Sequence, residues 1–141
     1  MDAMGGIDGM YREYILDHGM NPRNKGIVQP ADLDHEESNP LCGDRLRLTA
    51  QIDDQNIIRK IGWDGDGCAI SQAAASLLGE QIIGKSLDEV AQITREDVLE
   101  LIGIPLTMNR VKCALLSLKV LHGGLNDLGH SEHTHAAGEK D

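Results

Sequence analysis

The sequence predicts an α+β fold in which a short β-hairpin precedes a run of helices. Three observations predict it. Apolar and polar residues alternate from Arg45 and again from Ile57, the period of half-buried strands. From Ile70 to His122 the apolar spacing changes to three and four residues, the period of helices. Aromatic residues make up only 2% of the chain, as Trp63, Tyr11 and Tyr14 with no Phe, so the core must be aliphatic and alanine-rich, which suits helix packing.

The elements follow in order. Ile7 to His18 carries Ile7, Met10, Tyr11, Tyr14, Ile15 and Leu16 at helical spacings, and Asn21, Pro22, Asn24 and Gly26 end that helix. A polar acidic stretch, Asp32 to Ser38, leads into the turn signal Asn39-Pro40. Leu46, Leu48, Ala50 and Ile52 then alternate with Arg47, Thr49 and Gln51 in one strand. After the polar connection Asp53-Asp54-Gln55-Asn56, Ile57, Arg59, Ile61 and Trp63 alternate with Ile58, Lys60 and Gly62 in a second. The glycine-rich corner Asp64-Gly-Asp-Gly-Cys68 opens a helix through Ile82, so Cys68 stands at a loop-to-helix junction. Ser86-Leu-Asp-Glu89 and Thr94-Arg-Glu-Asp97 are capping-box patterns that start two short helices. After Pro105, a last helix from about Thr107 to His122 holds Cys113 in its early turns, and Gly123-Gly124 is expected to weaken or end it.

At 141 residues the chain has the length of one ordinary domain, expected over residues 1–128. Residues 129–141 show no apolar periodicity and read as a disordered tail containing His130, His133 and His135. A formal net charge of −10 and the lack of any basic stretch argue against nucleic acid and anionic lipid as partners. No apolar run approaches the length of a membrane span, and the glycine-rich, acidic start does not read as a signal peptide, so the chain reads as cytoplasmic. In that reducing compartment three cysteines are either buried structural residues or thiols for metal or chemistry.

Context favours the second. Cys42 follows Asn39-Pro40-Leu41 and precedes Gly43-Asp44, so a thiol and a carboxylate project from one turn. Cys68 adjoins a helix N-terminus, whose N–H groups complement an anionic sulfur. Cys113 has Lys112 beside it and Arg110 three residues before it, cations able to offset sulfur charge. Three thiolates and one carboxylate can fill a tetrahedral zinc site or hold iron.

The blocks YREYILDHGMNPRNKG (Tyr11 to Gly26), NPLCGD (Asn39 to Asp44), GDGCAISQAAAS (Gly65 to Ser76) and RVKCAL (Arg110 to Leu115) resemble the IscU/SufU family of iron–sulfur cluster assembly proteins. The resemblance implies a small antiparallel three-stranded sheet packed against a group of helices, with the cysteine-bearing loops at one exposed end. It implies that Cys42, Asp44, Cys68 and Cys113 hold a zinc ion or a [2Fe–2S] cluster, with Cys113 and Cys42 as persulfide acceptors and Lys112 and Arg110 as charge support. The implied partners are a cysteine desulfurase and apo iron–sulfur proteins. The implied activity is non-catalytic assembly of a transient [2Fe–2S] cluster on a scaffold, with a zinc-dependent sulfurtransferase as the alternative and a structural zinc module as a weaker one.

The sequence stands between the two branches of that family. Lys112 occupies the place where the IscU branch carries His before the third cysteine, and the Leu-Pro-Pro-Val-Lys chaperone-binding stretch is absent, so a dedicated Hsp70-type chaperone is not expected. A lysine ammonium has no lone pair for a metal, which leaves four candidate ligands. Arg-Val-Lys-Cys resembles the SufU branch, yet the interval from Cys68 to Cys113 is too short for the insertion usual there.

Overall fold

The computed structural model describes residues 13–40 and 43–129. In chain order the elements are helix α1 (residues 13–20 in the described part), β1 (Leu33–Asn39), β2 (Asp44–Ile52), β3 (Ile58–Asp66), α2 (Ala69–Ile82), α3 (Leu87–Ala91), α4 (Arg95–Ile102) and α5 (Met108–Asp127). The strands form one antiparallel sheet in the order β1-β2-β3. This is the three-stranded sheet with helices that the family resemblance implied.

The acidic stretch read as a polar lead-in is a strand, β1, in full register with β2 from Leu33↔Ala50 to Asn39↔Asp44. Its side chains explain how a segment with one large apolar residue holds an edge position. On the solvent face Asp34 bonds the Arg47 guanidinium at 2.7–2.8 Å, and Glu36 lies 3.3 Å from Arg45. On the helix face Leu33 is buried, and His35 and Glu37 bond each other and groups on α5. Charges along the edge also discourage pairing with another chain.

Register places the chemistry at one end of the sheet. Asn39↔Asp44 closes β1 onto β2, and Arg45↔Asp66 and Leu46↔Gly65 bring the end of β3 alongside. Gly65, at φ +147°, crosses so close to Arg45 and Leu46 that a side chain would strike their backbone. The chain therefore leaves β3 and enters α2 directly beside Asp44.

The helix starts follow the sequence signals. Ser86 and Thr94 each form complete capping boxes, with Glu89 and Asp97, and Thr107 accepts from the Arg110 N–H at the start of α5. Each such cap is worth about 1 kcal/mol. Gly103, at φ 74°, stops α4 in the left-handed conformation.

Gly123 and Gly124 do not end α5, which continues to Asp127. A Cβ on Gly124 would come within 2.7 Å of Leu33, and one on Gly123 would overlap the His35 ring. The pair is a notch in the helix into which β1 packs, and that contact outweighs their poor helix propensity of about 1 kcal/mol each.

Two cores result. One lies between the sheet and the helices and includes Leu33, Leu46, Leu48, Leu78, Val120 and Leu121. The other is all-helical, with Ile15, Ile70, Ala73, Leu77, Ile102 and Ala114, and it contains Cys113 with Cys68 at its margin. No helix among the described residues is long and apolar enough to cross a membrane.

Candidate metal centre

Asp44, Cys68 and Cys113 converge, with one ligand atom from each within 4.8 Å of the others. That separation is on the scale of twice a metal–sulfur bond of about 2.3 Å. Each arrives on a different element. Asp44 opens β2, Cys68 is the N-cap of α2, and Cys113 lies in the second turn of α5.

Burial and bonding distinguish these groups from ordinary surface residues. Asp44 is 3% exposed, and its Oδ2 has no hydrogen-bond partner among the described residues. A buried carboxylate oxygen without a partner costs several kcal/mol unless a cation meets it. Cys113 is buried and Cys68 half-buried. The N-cap side chain of Cys68 makes no capping hydrogen bond, so its sulfur is not committed to the helix. Its carbonyl accepts from the Gln72 N–H at 3.1 Å and the Ser71 hydroxyl at 3.0 Å, which fixes the backbone that carries the thiol. Two soft sulfurs and one hard oxygen, with the oxygen uncompensated, fit a zinc or iron ion.

The remaining candidates divide. Cys42 lies outside the described residues, as do Tyr11 and the three tail histidines. Arg110 and Lys112 are both exposed, and neither charged group forms an ion pair among the described residues. Arg110, three residues before Cys113, shares its side of α5, whereas Lys112 is turned about 100° away.

His18 belongs to the scaffold of the helical core. Buried between α1 and α2, its Nδ1 lies 2.7 Å from the Ser76 hydroxyl, which also accepts from the Arg23 N–H at 2.8 Å. Burial and the nearby Arg23 hold its pKa below the ordinary 6.5, so the neutral ring can accept a hydrogen bond from the Ser76 hydroxyl. Arg23 braces the end of α1 by bonding Asp17 at 2.6 Å and the Asn21 carbonyl at 3.0 Å.

Two residues at the site carried no chemical signal of their own in the sequence, Gly67 and Ser71. A Cβ on Gly67 would overlap the Ser71 Oγ and come within 3.2 Å of the Asp44 Cγ. Their only signal was position, within one turn of Cys68 in the Gly65 to Ser76 block. An open cleft of about 420 Å³ borders the site here, lined in part by Met20, Lys25, Asp66 and Gly67.

Comparison with known proteins agrees with this geometry. Residues 10–134 match the family model of the NifU-like N terminal domain. The zinc-dependent sulfurtransferase SufU of Bacillus subtilis (strain 168) is 33% identical over 89% of this chain and 95% of its own length. The iron–sulfur cluster assembly scaffold protein IscU of Aquifex aeolicus (strain VF5) is 32% identical over 83% and 74%. Among solved structures, the SUF-system protein FiSufU of Fervidobacterium islandicum AW-1 superposes with a TM-score of 0.67 at 29% identity, covering 80% of this chain and 94% of that one. With the three-stranded sheet, the helical core and the converged cysteines and aspartate already in place, the chain belongs to the NifU-like N-terminal domain family, whose members include both the IscU and the SufU proteins.

Proposed function

We propose that this protein is an iron–sulfur cluster assembly scaffold that takes sulfur from a cysteine desulfurase and builds a transient [2Fe–2S] cluster for apo-proteins. The observation that carries the reading is the convergence of the Asp44, Cys68 and Cys113 ligand atoms within 4.8 Å, with a buried carboxylate oxygen that has no hydrogen-bond partner among the described residues. Cys42, two residues along the chain from Asp44, is the proposed fourth ligand.

In the sulfur step a thiolate of this chain attacks the outer sulfur of the donor's persulfide. A new S–S bond forms here as the donor's S–S bond breaks, and the donor cysteine leaves as thiolate. Cys113 is the favoured acceptor, because Arg110 lies on its side of α5 and can offset the charge that the persulfide carries. Iron is the second substrate of assembly, and an external electron donor must supply two electrons to reduce each outer persulfide sulfur to the sulfide that bridges iron. The carboxylate is the hard member of a soft ligand set, so it is the group that exchanges most readily when the product leaves.

A second reading, a zinc-dependent sulfur relay, is favoured by Lys112, which offers no lone pair where a fifth ligand would stand. Metal analysis of protein purified without added iron, followed by anaerobic reconstitution with iron and sulfide, separates the two. Iron uptake with a [2Fe–2S] absorption spectrum supports the scaffold. Tightly held zinc that excludes iron, with a persulfide adduct after one desulfurase turnover, supports the relay. Protein that binds neither metal and accepts no sulfur would remove both.

A further inference from the structure

We propose that Ser71 is a positioning residue for Asp44, an alternative hydrogen-bond station that receives the carboxylate when it lets go of the metal. This rests on the metal-centre reading above and adds to it a way for the site to open.

Asp44 and Ser71 are both buried, Ser71 with no exposure at all, and they line the same small space, the one that a Gly67 side chain would fill. The absent Cβ is what lets the two approach. The Ser71 hydroxyl donates to the Cys68 carbonyl at 3.0 Å, and the Asp44 Oδ2 has no donor among the described residues. This is the ion-facing state of the carboxylate.

A buried carboxylate that leaves its cation needs another donor, or the departure carries the full cost of an uncompensated charge. Rotation of the Ser71 side chain exchanges its neutral bond to a carbonyl for a charge-assisted bond to a carboxylate, roughly twice as strong. The Cys68 carbonyl keeps the Gln72 N–H, so it is not stranded by the exchange. Ser71 therefore lowers the cost of opening one coordination position, the position an incoming sulfur or a recipient protein requires. The thiols stay in place.

The test uses the full chain loaded with zinc and follows zinc loss to an excess of a colorimetric chelator. Ser71→Ala removes the station, so zinc release should slow about tenfold, equivalent to about 1.4 kcal/mol, with zinc content and melting temperature unchanged. In an Asp44→Ala background the same substitution should have no effect, because no carboxylate remains to be received. An unchanged release rate in Ser71→Ala would overturn the proposal. So would an equal slowing in both backgrounds, since that effect would come through the Cys68 carbonyl. Gly67→Ala provides a second arm: its methyl should displace the carboxylate from the ion and change the visible spectrum of the cobalt-substituted protein, whereas a wild-type spectrum would count against the shared space. Cys68→Ala is the control on the site itself. Full zinc content in that variant would sink the metal-centre reading, a result distinct from any that bears on Ser71.

Discussion

At the C-terminal end of α5, bare backbone at Gly123 and Gly124 receives β1, and His35 lies there with both ring nitrogens bonded, to Asp127 at 2.6 Å and to Glu37 at 2.7 Å. Lys119 adds an ion pair to Glu37 at 3.8 Å. Towards the other end, Cys113 faces Cys68 and an Asp44 oxygen without a hydrogen-bond partner among the described residues, Met108 is 80% exposed, and Arg110 and Lys112 extend into solvent. One helix thus receives β1 through a polar clasp at one end and carries a cysteine of the candidate metal centre towards the other. Unsatisfied buried groups cost stability, and native proteins tolerate them where a ligand completes them. The Asp44 oxygen, with two thiols beside it, is such a group, and that pairing is what marks this end as the candidate site.

The largest expected effect is at the working end. Cys68→Ser and Cys113→Ser each replace a soft ligand with a poor one, and zinc affinity should fall by at least about a hundredfold. Competition with a chelator of known affinity measures it. Melting of the metal-free protein should move little in Cys68→Ser, because Cys68 lies at the margin of the helical core. Wild-type zinc affinity in both variants would place the metal elsewhere.

The closed end should respond in the opposite manner. Gly124→Ala would bring its Cβ to 2.7 Å from Leu33. On an open helix face the change would stabilise by about 1 kcal/mol. Here we expect a net loss of about 1–2 kcal/mol from overpacking, which is a fall in melting temperature of roughly 3–6 °C. Metal content should be unchanged. A gain in stability would show that β1 does not press on this notch.

The same clasp gives a pH dependence. Burial acts to lower the His35 pKa, but the hydrogen bonds to Glu37 and Asp127, with their charges, outweigh it and hold it above the ordinary 6.5. A neutral imidazole has one N–H, so only the protonated ring can donate to both carboxylates. With the folded value raised, the stabilisation is fully present below about 6.5, the unfolded value, and is lost as pH rises through the folded value. His35→Gln should therefore cost most near about pH 6 and least near about pH 9. Denaturant unfolding across that range checks it. A gap between wild type and variant that widens with pH would reverse the sign and remove the doubly bonded imidazolium.

These two ends also show what was legible from residues alone. At the metal-centre end the sequence named Cys42, Asp44, Cys68 and Cys113 from their local contexts; the last three lie together, and Cys42 falls outside the described residues. The capping boxes were readable because hydroxyl and carboxylate at a spacing of three have one common use. The closed end was not. β1 has no apolar alternation beyond Leu33, since its helix-facing positions His35 and Glu37 are held by Asp127 and Lys119, partners some eighty or more residues away. Gly123-Gly124 carries the local signal of a helix end, and only the packing of that unrecognised strand reverses it. Gly67 and Ser71 act through an absent atom and a hydroxyl, which no periodicity records.

The smallest effect, and the one that sharpens the choice between readings, concerns the exposed cations of the working end. Neither Arg110 nor Lys112 is buried, so Arg110→Met and Lys112→Met should each change stability by no more than about 0.5 kcal/mol. Zinc or iron content should also hold, because neither side chain is a ligand. What remains is a Coulomb effect on a persulfide anion at Cys113. Across about 7 Å of water-like medium one unit charge is worth about 0.6 kcal/mol, roughly a threefold change in rate. Arg110 shares the side of α5 that carries Cys113, and Lys112 does not, so persulfide acceptance should slow more in Arg110→Met than in Lys112→Met. The measurement is the rate of sulfur adduct formation at Cys113 in single-turnover reactions with a cysteine desulfurase, by mass spectrometry. At high salt the difference should vanish, since exposed charges are screened within about 3 Å at 1 M. If both variants match wild type at low salt, these two residues are solvated surface cations with no part in sulfur acceptance at Cys113. If Lys112→Met is the slower of the two, the persulfide charge stands on the Lys112 side of the helix rather than the Arg110 side.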